Sequence, residues 1–337
     1  MSPVILLVII IVSLSAFVVG VPIFYGALLP IIKPRLSKRT TTYLYAFSSG
    51  FFMILATVGF LAESKENLTH FFEPKFPNSI GLTYTVVAIV IGSVVLFALS
   101  MALFAKWKFI KKTEHEDGLY FGEGHDHDHI IFNPSDYDPK SKRLALFLLL
   151  SHRVPGGLIL GLLAASIANQ NGTLNESNIL FLIVFVIHIV PEELIMYYRQ
   201  IEMGISRWKA VRNSILSTMF LIPFIIIGSA IKFNLPEHSL EIMNELVMPI
   251  VQTLAASFLL FTSMIEFFPE FLHFKLTGKE WYKTIFLFIL GTVIGLIILA
   301  FHHHEHAPDT LAPEVVTVIR KIIFKIVYIY HLYLLCS

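Results

Sequence analysis

No charged side chain occurs before Lys33. The opening stretch "MSPVILLVIIIVSLSAFVVGVPIFYGALLP" is one apolar run, and a bilayer core takes about 20 such residues as a helix. Seven more windows of this kind follow. Together the eight cover roughly residues 4–29, 43–62, 83–105, 144–167, 179–198, 210–231, 247–268 and 284–301. In lipid every backbone N–H and C=O has to be satisfied internally, and runs of this length do so as helices. The expectation is an all-α polytopic membrane protein with eight transmembrane helices. Composition agrees, since 55% of the 337 residues are hydrophobic and 15% are charged, against roughly 25% charged in soluble domains. A net charge of +1 gives no reason to expect nucleic acid as a partner; the lipid bilayer is one. The single cysteine, Cys336, excludes an internal disulfide. The first run lacks a basic leader and is too long for a signal peptide, so it reads as a retained span. Its Gly20, Pro22, Gly26 and Pro30 predict a kink or an early end.

The chain divides into residues 1–105 with three spans, a polar loop 106–142, residues 143–303 with five spans, and a tail 304–337. The loop is too charged to span and reads as disordered. Within the tail, "PEVVTVIRKIIFKIVYIYHLYLLCS" reads as an amphipathic helix lying in the interface rather than a ninth span. Of the twenty-five Lys and Arg, eighteen fall on the 1–2, 3–4, 5–6 and 7–8 connections and three on the opposite ones. Three more lie in the tail, and the last, Arg153, lies inside a span. By the excess of positive charge on cytoplasmic loops, both termini are expected outside the cytoplasm and the 3–4 loop inside it. The plasma membrane is the expected location. The glycosylation triplets at Asn67, Asn171 and Asn175 all fall on outer loops, a weak sign in the same direction.

An internal repeat joins two distant spans. Aligned without gaps, "AFSSGFFMILATVGFLAE" (46–63) and "TLAASFLLFTSMIEFFPE" (253–270) match Phe51 with Phe258, Phe60 with Phe267 and Glu63 with Glu270. The second and seventh spans run in opposite directions, so the match predicts an inverted repeat of spans 1–3 and 6–8 around a central pair 4–5. Convergent packing of small residues is the competing explanation. Glu63 and Glu270 then fall at opposite membrane faces, each expected at a vestibule mouth.

Ionisable residues at membrane depth are costly, some 2.5 to 3.5 kcal/mol each on insertion scales, and mark pathways or sites. Here they are His152 and Arg153 in the fourth span, His188, Glu192 and Glu193 in the fifth, and Glu266 in the seventh. At about 1.5 Å per residue, His152 lies roughly 12 Å from the inner end of its span, and Glu192 and His188 roughly 9 and 15 Å from theirs. They share a level. His188 and Glu192 are four residues apart, on one helix face, with Pro191 between them predicting a broken helix that lines an ion path. Two imidazoles and a carboxylate suit zinc or another borderline divalent ion. Hydrogen-bonded packing is the alternative for any one of them alone.

These segments resemble the signature spans of the ZIP family of divalent-metal transporters (Zrt- and Irt-like proteins). His152, Pro155 and Gly157 match the family's fourth-span motif, and His188, Pro191, Glu192 and Glu193 match its fifth. "IEFFPE" (265–270) is similar to the end of the seventh span, and "AFSSGFF" to the opening of the second. The resemblance implies a carrier, not an enzyme, that moves divalent metal ions (zinc, with iron and manganese as alternatives) toward the cytoplasm. A homodimer is an allowed state. The family binds two metals bridged by carboxylates, and here the second set has gone: Arg153 stands for Asn, Gly156 and Ile189 for acids, and the sixth span offers no carboxylate. The expected site is therefore one metal on His152, His188 and Glu192. Arg153 replaces the second ion, charge-paired with Glu192, Glu193 or Glu266. Its rival role is a plug in a chain that no longer transports.

Two histidine tracts complete the reading. "EGHDHDHI" places His125, His127 and His129 on the 3–4 loop as a scavenger of metal, and "FHHHEHAPD" places His302, His303, His304 and His306 where ions would arrive. Either is also explicable as a solvated polar tract. An intramembrane metal hydrolase has similar ligands, but no His-Glu-x-x-His signature occurs. A ZIP-like sensor or partner protein without transport activity is the remaining alternative.

Overall fold

The computed structural model describes residues 2–113, 146, 147, 149–269 and 277–303. Eight helices in it are long and apolar enough to cross a membrane, and no strand occurs among the described residues. They are α1 Pro3–Ile32, α2 Lys38–Phe72, α3 Ser79–Thr113 and α4 Leu149–Asn169. The others are α5 Glu176–Glu202, α6 Arg207–Phe233, α7 Ser239–Ile265 and α8 Gly278–His303. The chain is an all-α polytopic membrane protein.

The helices fall into two packing groups, α1, α4, α5 and α6 in one and α2, α3, α7 and α8 in the other. Lipid tails are as apolar as leucine, so close approach of backbones and interhelical hydrogen bonds do the packing. In the first group α4 lies so near α6 that a Cβ at Gly161 would sit 2.2 Å from the Ile225 carbonyl oxygen. In the second, a Cβ at Gly291 of α8 would sit 2.1 Å from the Phe47 carbonyl oxygen of α2. Hydroxyls hold α2 to α7: Ser263 Oγ donates to the Ser49 carbonyl at 2.8 Å, and Ser64 Oγ donates to the Pro249 carbonyl at 2.6 Å.

Much of the contact pattern follows the inverted repeat, although the packing of α2 on α3 has no counterpart of like extent between α7 and α8 among the described residues. Exchanging α1 with α6, α2 with α7, α3 with α8 and α4 with α5 maps α2–α8 onto α7–α3, α1–α5 onto α6–α4, α1–α4 onto α6–α5, and α2–α5 onto α7–α4, and all of these pairs touch. Local backbone agrees. α2 becomes π-helical at Leu55–Leu61; the seventh span does so twice, at Met243–Val247, which has no π-helical counterpart in α2, and at its end, Thr262–Phe267. The gap-free alignment that sets 46 on 253 sets 55 on 262, so Leu55–Leu61 and Thr262–Phe267 start at the same repeat position.

Three expectations change. α1 does not end early but is helical through Gly20, Pro22 and Gly26 to Ile32, because each intrahelical proline removes only one donor. α5 is likewise helical through Pro191; the interruption lies in α4 instead, where His152 occupies a turn and the regular helix starts at Arg153. α3 continues into the polar loop as far as Thr113. The rest of the 106–142 loop, with His125, His127 and His129, lies outside the described residues, as do Glu270, His304, His306 and the proposed tail helix.

Candidate metal site

The site forms where α4 and α5 face each other, each bearing a His-x-x-Pro sequence, His152 to Pro155 and His188 to Pro191. Proline has no N–H to give the carbonyl four residues earlier, which leaves polar backbone beside each histidine. His152, Arg153, His188, Glu192 and Glu193 are all buried, with Arg153 1% and Glu192 0% exposed. One ligand atom from each of His152, His188 and Glu192 lies within 4.8 Å of the others. His152 Nε2 is 3.1 Å from Glu192 Oε2. Glu192 Oε2, His152 Nδ1 and His188 Nδ1 are buried without a hydrogen-bond partner. Leaving such an atom unpaired costs about 1–3 kcal/mol, and an ion bound at Glu192 Oε2 removes that cost for the carboxylate oxygen. The surrounding pocket, lined by Phe60, Gly156 and Phe185 as well as these residues, has room for about one water-sized atom.

Arg153 occupies the other side of Glu192. Its Nε donates to Glu192 Oε1 at 2.5 Å, and Nη2 donates to Glu193 Oε2 at 3.1 Å. Nη1 donates to two hydroxyls of α6, Ser217 Oγ at 2.8 Å and Thr218 Oγ1 at 3.2 Å. The Thr218 hydroxyl itself donates to Glu193 Oε2 at 2.7 Å. Buried charges need both an opposite charge and satisfied donors, and the guanidinium has both. Room for Glu193 comes from α1, where a Cβ at Gly26 would lie 3.3 Å from its Cγ. Phe185 fills what remains: its ring meets His188 edge-on at 4.6 Å, and a Cβ at Gly156 would lie 3.3 Å from its Cζ.

The structure thus gathers His152, His188 and Glu192 on one side and Arg153 and Glu193 on the other. Glu266 lies in the π-helical end of the seventh span; its side chain, like those of His302 and His303 at the end of α8, lies outside the described residues. Glu63 stands apart, lining a second small pocket with Leu55, Phe181 and Val184. That pocket shares Phe60 and Phe185 with the first. Sequence reasoning missed Ser217 and Thr218, having searched the sixth span for carboxylates alone. Lys232, one of the three basic residues expected on the outer connections, is instead buried in the last turn of α6. There its Nζ donates to Ser166 Oγ and Asn244 Oδ1 at 2.5 Å each, a position near a helix C-terminus that suits a cation.

Compared with protein-family models and with curated proteins, the chain matches none.

Proposed function

We propose that this chain is a ZIP-like carrier that moves a divalent metal ion, zinc before iron or manganese, toward the cytoplasm through a single site on His152, His188 and Glu192. The observation that carries the reading is the meeting of those three side chains, buried at one place between two spans. Burying two imidazoles and a carboxylate together is expensive without a ligand. Arg153 is the built-in replacement for a second ion: it gives Glu192 and Glu193 fixed positive charge, while Phe185 occupies the space beside Gly156. In this reading both termini lie outside, the plasma membrane is the location, and the two histidine tracts collect metal on either side.

One observation favours a rival. A guanidinium held by four hydrogen bonds also suits a closed path, in a chain that senses metal or assists a partner without transporting it. Zinc uptake by proteoliposomes holding the purified chain separates the two. The carrier reading expects uptake that His188→Ala with Glu192→Ala abolishes; no uptake of zinc, iron or manganese would favour the rival.

A further inference from the structure

A guanidinium beside a carboxylate ordinarily takes both of its oxygens, with Nε and one Nη donating in parallel. Arg153 does not do this with Glu192. Its Nε reaches Glu192 Oε1, but Nη2 turns to Glu193 Oε2 and Nη1 is held by Ser217 and Thr218. Glu192 Oε2 is left buried and without a hydrogen bond, 3.1 Å from His152 Nε2.

We infer that Ser217 and Thr218 are positioning residues, whose hydroxyls hold the Arg153 guanidinium turned toward α6 so that one oxygen of Glu192 stays free to bind metal. The inference rests on the metal-site reading above and adds α6 to it. Thr218 does two things at once: its lone pair accepts from Nη1, and its hydrogen goes to Glu193 Oε2, fixing the carboxylate that draws Nη2 away. Ser217 supplies the shorter of the two bonds to Nη1. Both residues are buried, Thr218 at 0% exposure and Ser217 at 8%, so water does not replace the hydroxyls when they are removed. Without them the guanidinium is free to swing into the parallel arrangement on Glu192 and compete with the metal for Oε2.

The test is the affinity of the full-length chain for zinc ion, read by competition with a chelating dye after the histidines of both tracts are replaced. Ser217→Ala with Thr218→Val should weaken binding about tenfold or more, the size expected for charge-assisted hydrogen bonds. Thr218→Ser, which keeps the hydroxyl, should bind within about twofold of the unaltered chain. In an Arg153→Gln background the same Ser217 and Thr218 changes should move affinity by less than about twofold, since no guanidinium remains to close on Glu192. An equal loss with and without Arg153 would show that the hydroxyls serve the fold only and overturn the inference, as would unchanged affinity in the double variant. If the unaltered chain binds no zinc that His188→Ala removes, the metal-site reading fails and this inference falls with it.

Discussion

Arg153 donates to four oxygens on two helices, and no other side chain meets that geometry. Lysine carries the charge as a point and lacks the planar fork. Arg153→Lys should therefore lose zinc affinity even where the chain folds, and Arg153→Ala should also destabilise it. Leaving a buried carboxylate without its partner costs about 3–5 kcal/mol. Thermal unfolding in detergent should rank the two variants in that order below the unaltered chain; a Tm unchanged in Arg153→Ala would show that the guanidinium is dispensable to Glu192 and Glu193. The candidate ligands were legible in the sequence because ionisable residues are rare at membrane depth. Ser217 and Thr218 were not, because a hydroxyl in an apolar helix usually bonds back to its own helix, and for Thr218 the Ser214 carbonyl lies within reach at 3.2 Å as an alternative to Glu193. Only the packed partner distinguishes the two uses.

Helices pack here by backbone contact, so single glycines decide whether elements fit. Gly161→Val places a branched side chain where even a Cβ would meet the Ile225 carbonyl at 2.2 Å, and α4 has to move off α6. Gly20→Ala in α1 meets nothing within 4 Å and gains helix propensity, about 1 kcal/mol. The first change should lower the unfolding temperature or prevent folding, and the second should hold or raise it; equal effects would contradict the packing described. Hydropathy showed the number of spans, but helices outrun the apolar windows. α2 runs to Phe72, ten residues past the end of its 43–62 window, since chain polarity marks where lipid ends and not where hydrogen bonding does. At its start Ser37 caps the helix, its side chain accepting from Thr40 N at 3.2 Å. The paired π-helical stretches were invisible in composition, being set where α2 and α7 cross, although the repeat that aligns them was readable from Phe60, Phe267 and their neighbours.

For the whole molecule, the repeat and the charge distribution together make a topology claim. Glu63→Cys and Glu270→Cys, each made in a Cys336→Ser background, should react with a membrane-impermeant thiol reagent from opposite sides. Reaction of both from one side would refute the arrangement. If the 3–4 loop collects ions, as proposed, deleting residues 113–135 should leave zinc uptake measurable while removing metal binding by the loop. Loss of uptake in a deletion variant that still folds would place the loop within the transport path.

The central claim is one metal, not two, held between α4 and α5. It is tested most directly by counting zinc bound per purified chain after the histidines of both tracts are replaced. The account predicts about one ion per chain, in keeping with a pocket that has room for about one water-sized atom. It also predicts that His188→Ala with Glu192→Ala removes that ion. Two tightly bound ions in the otherwise unaltered core, or one ion that survives the loss of both ligands, would contradict it.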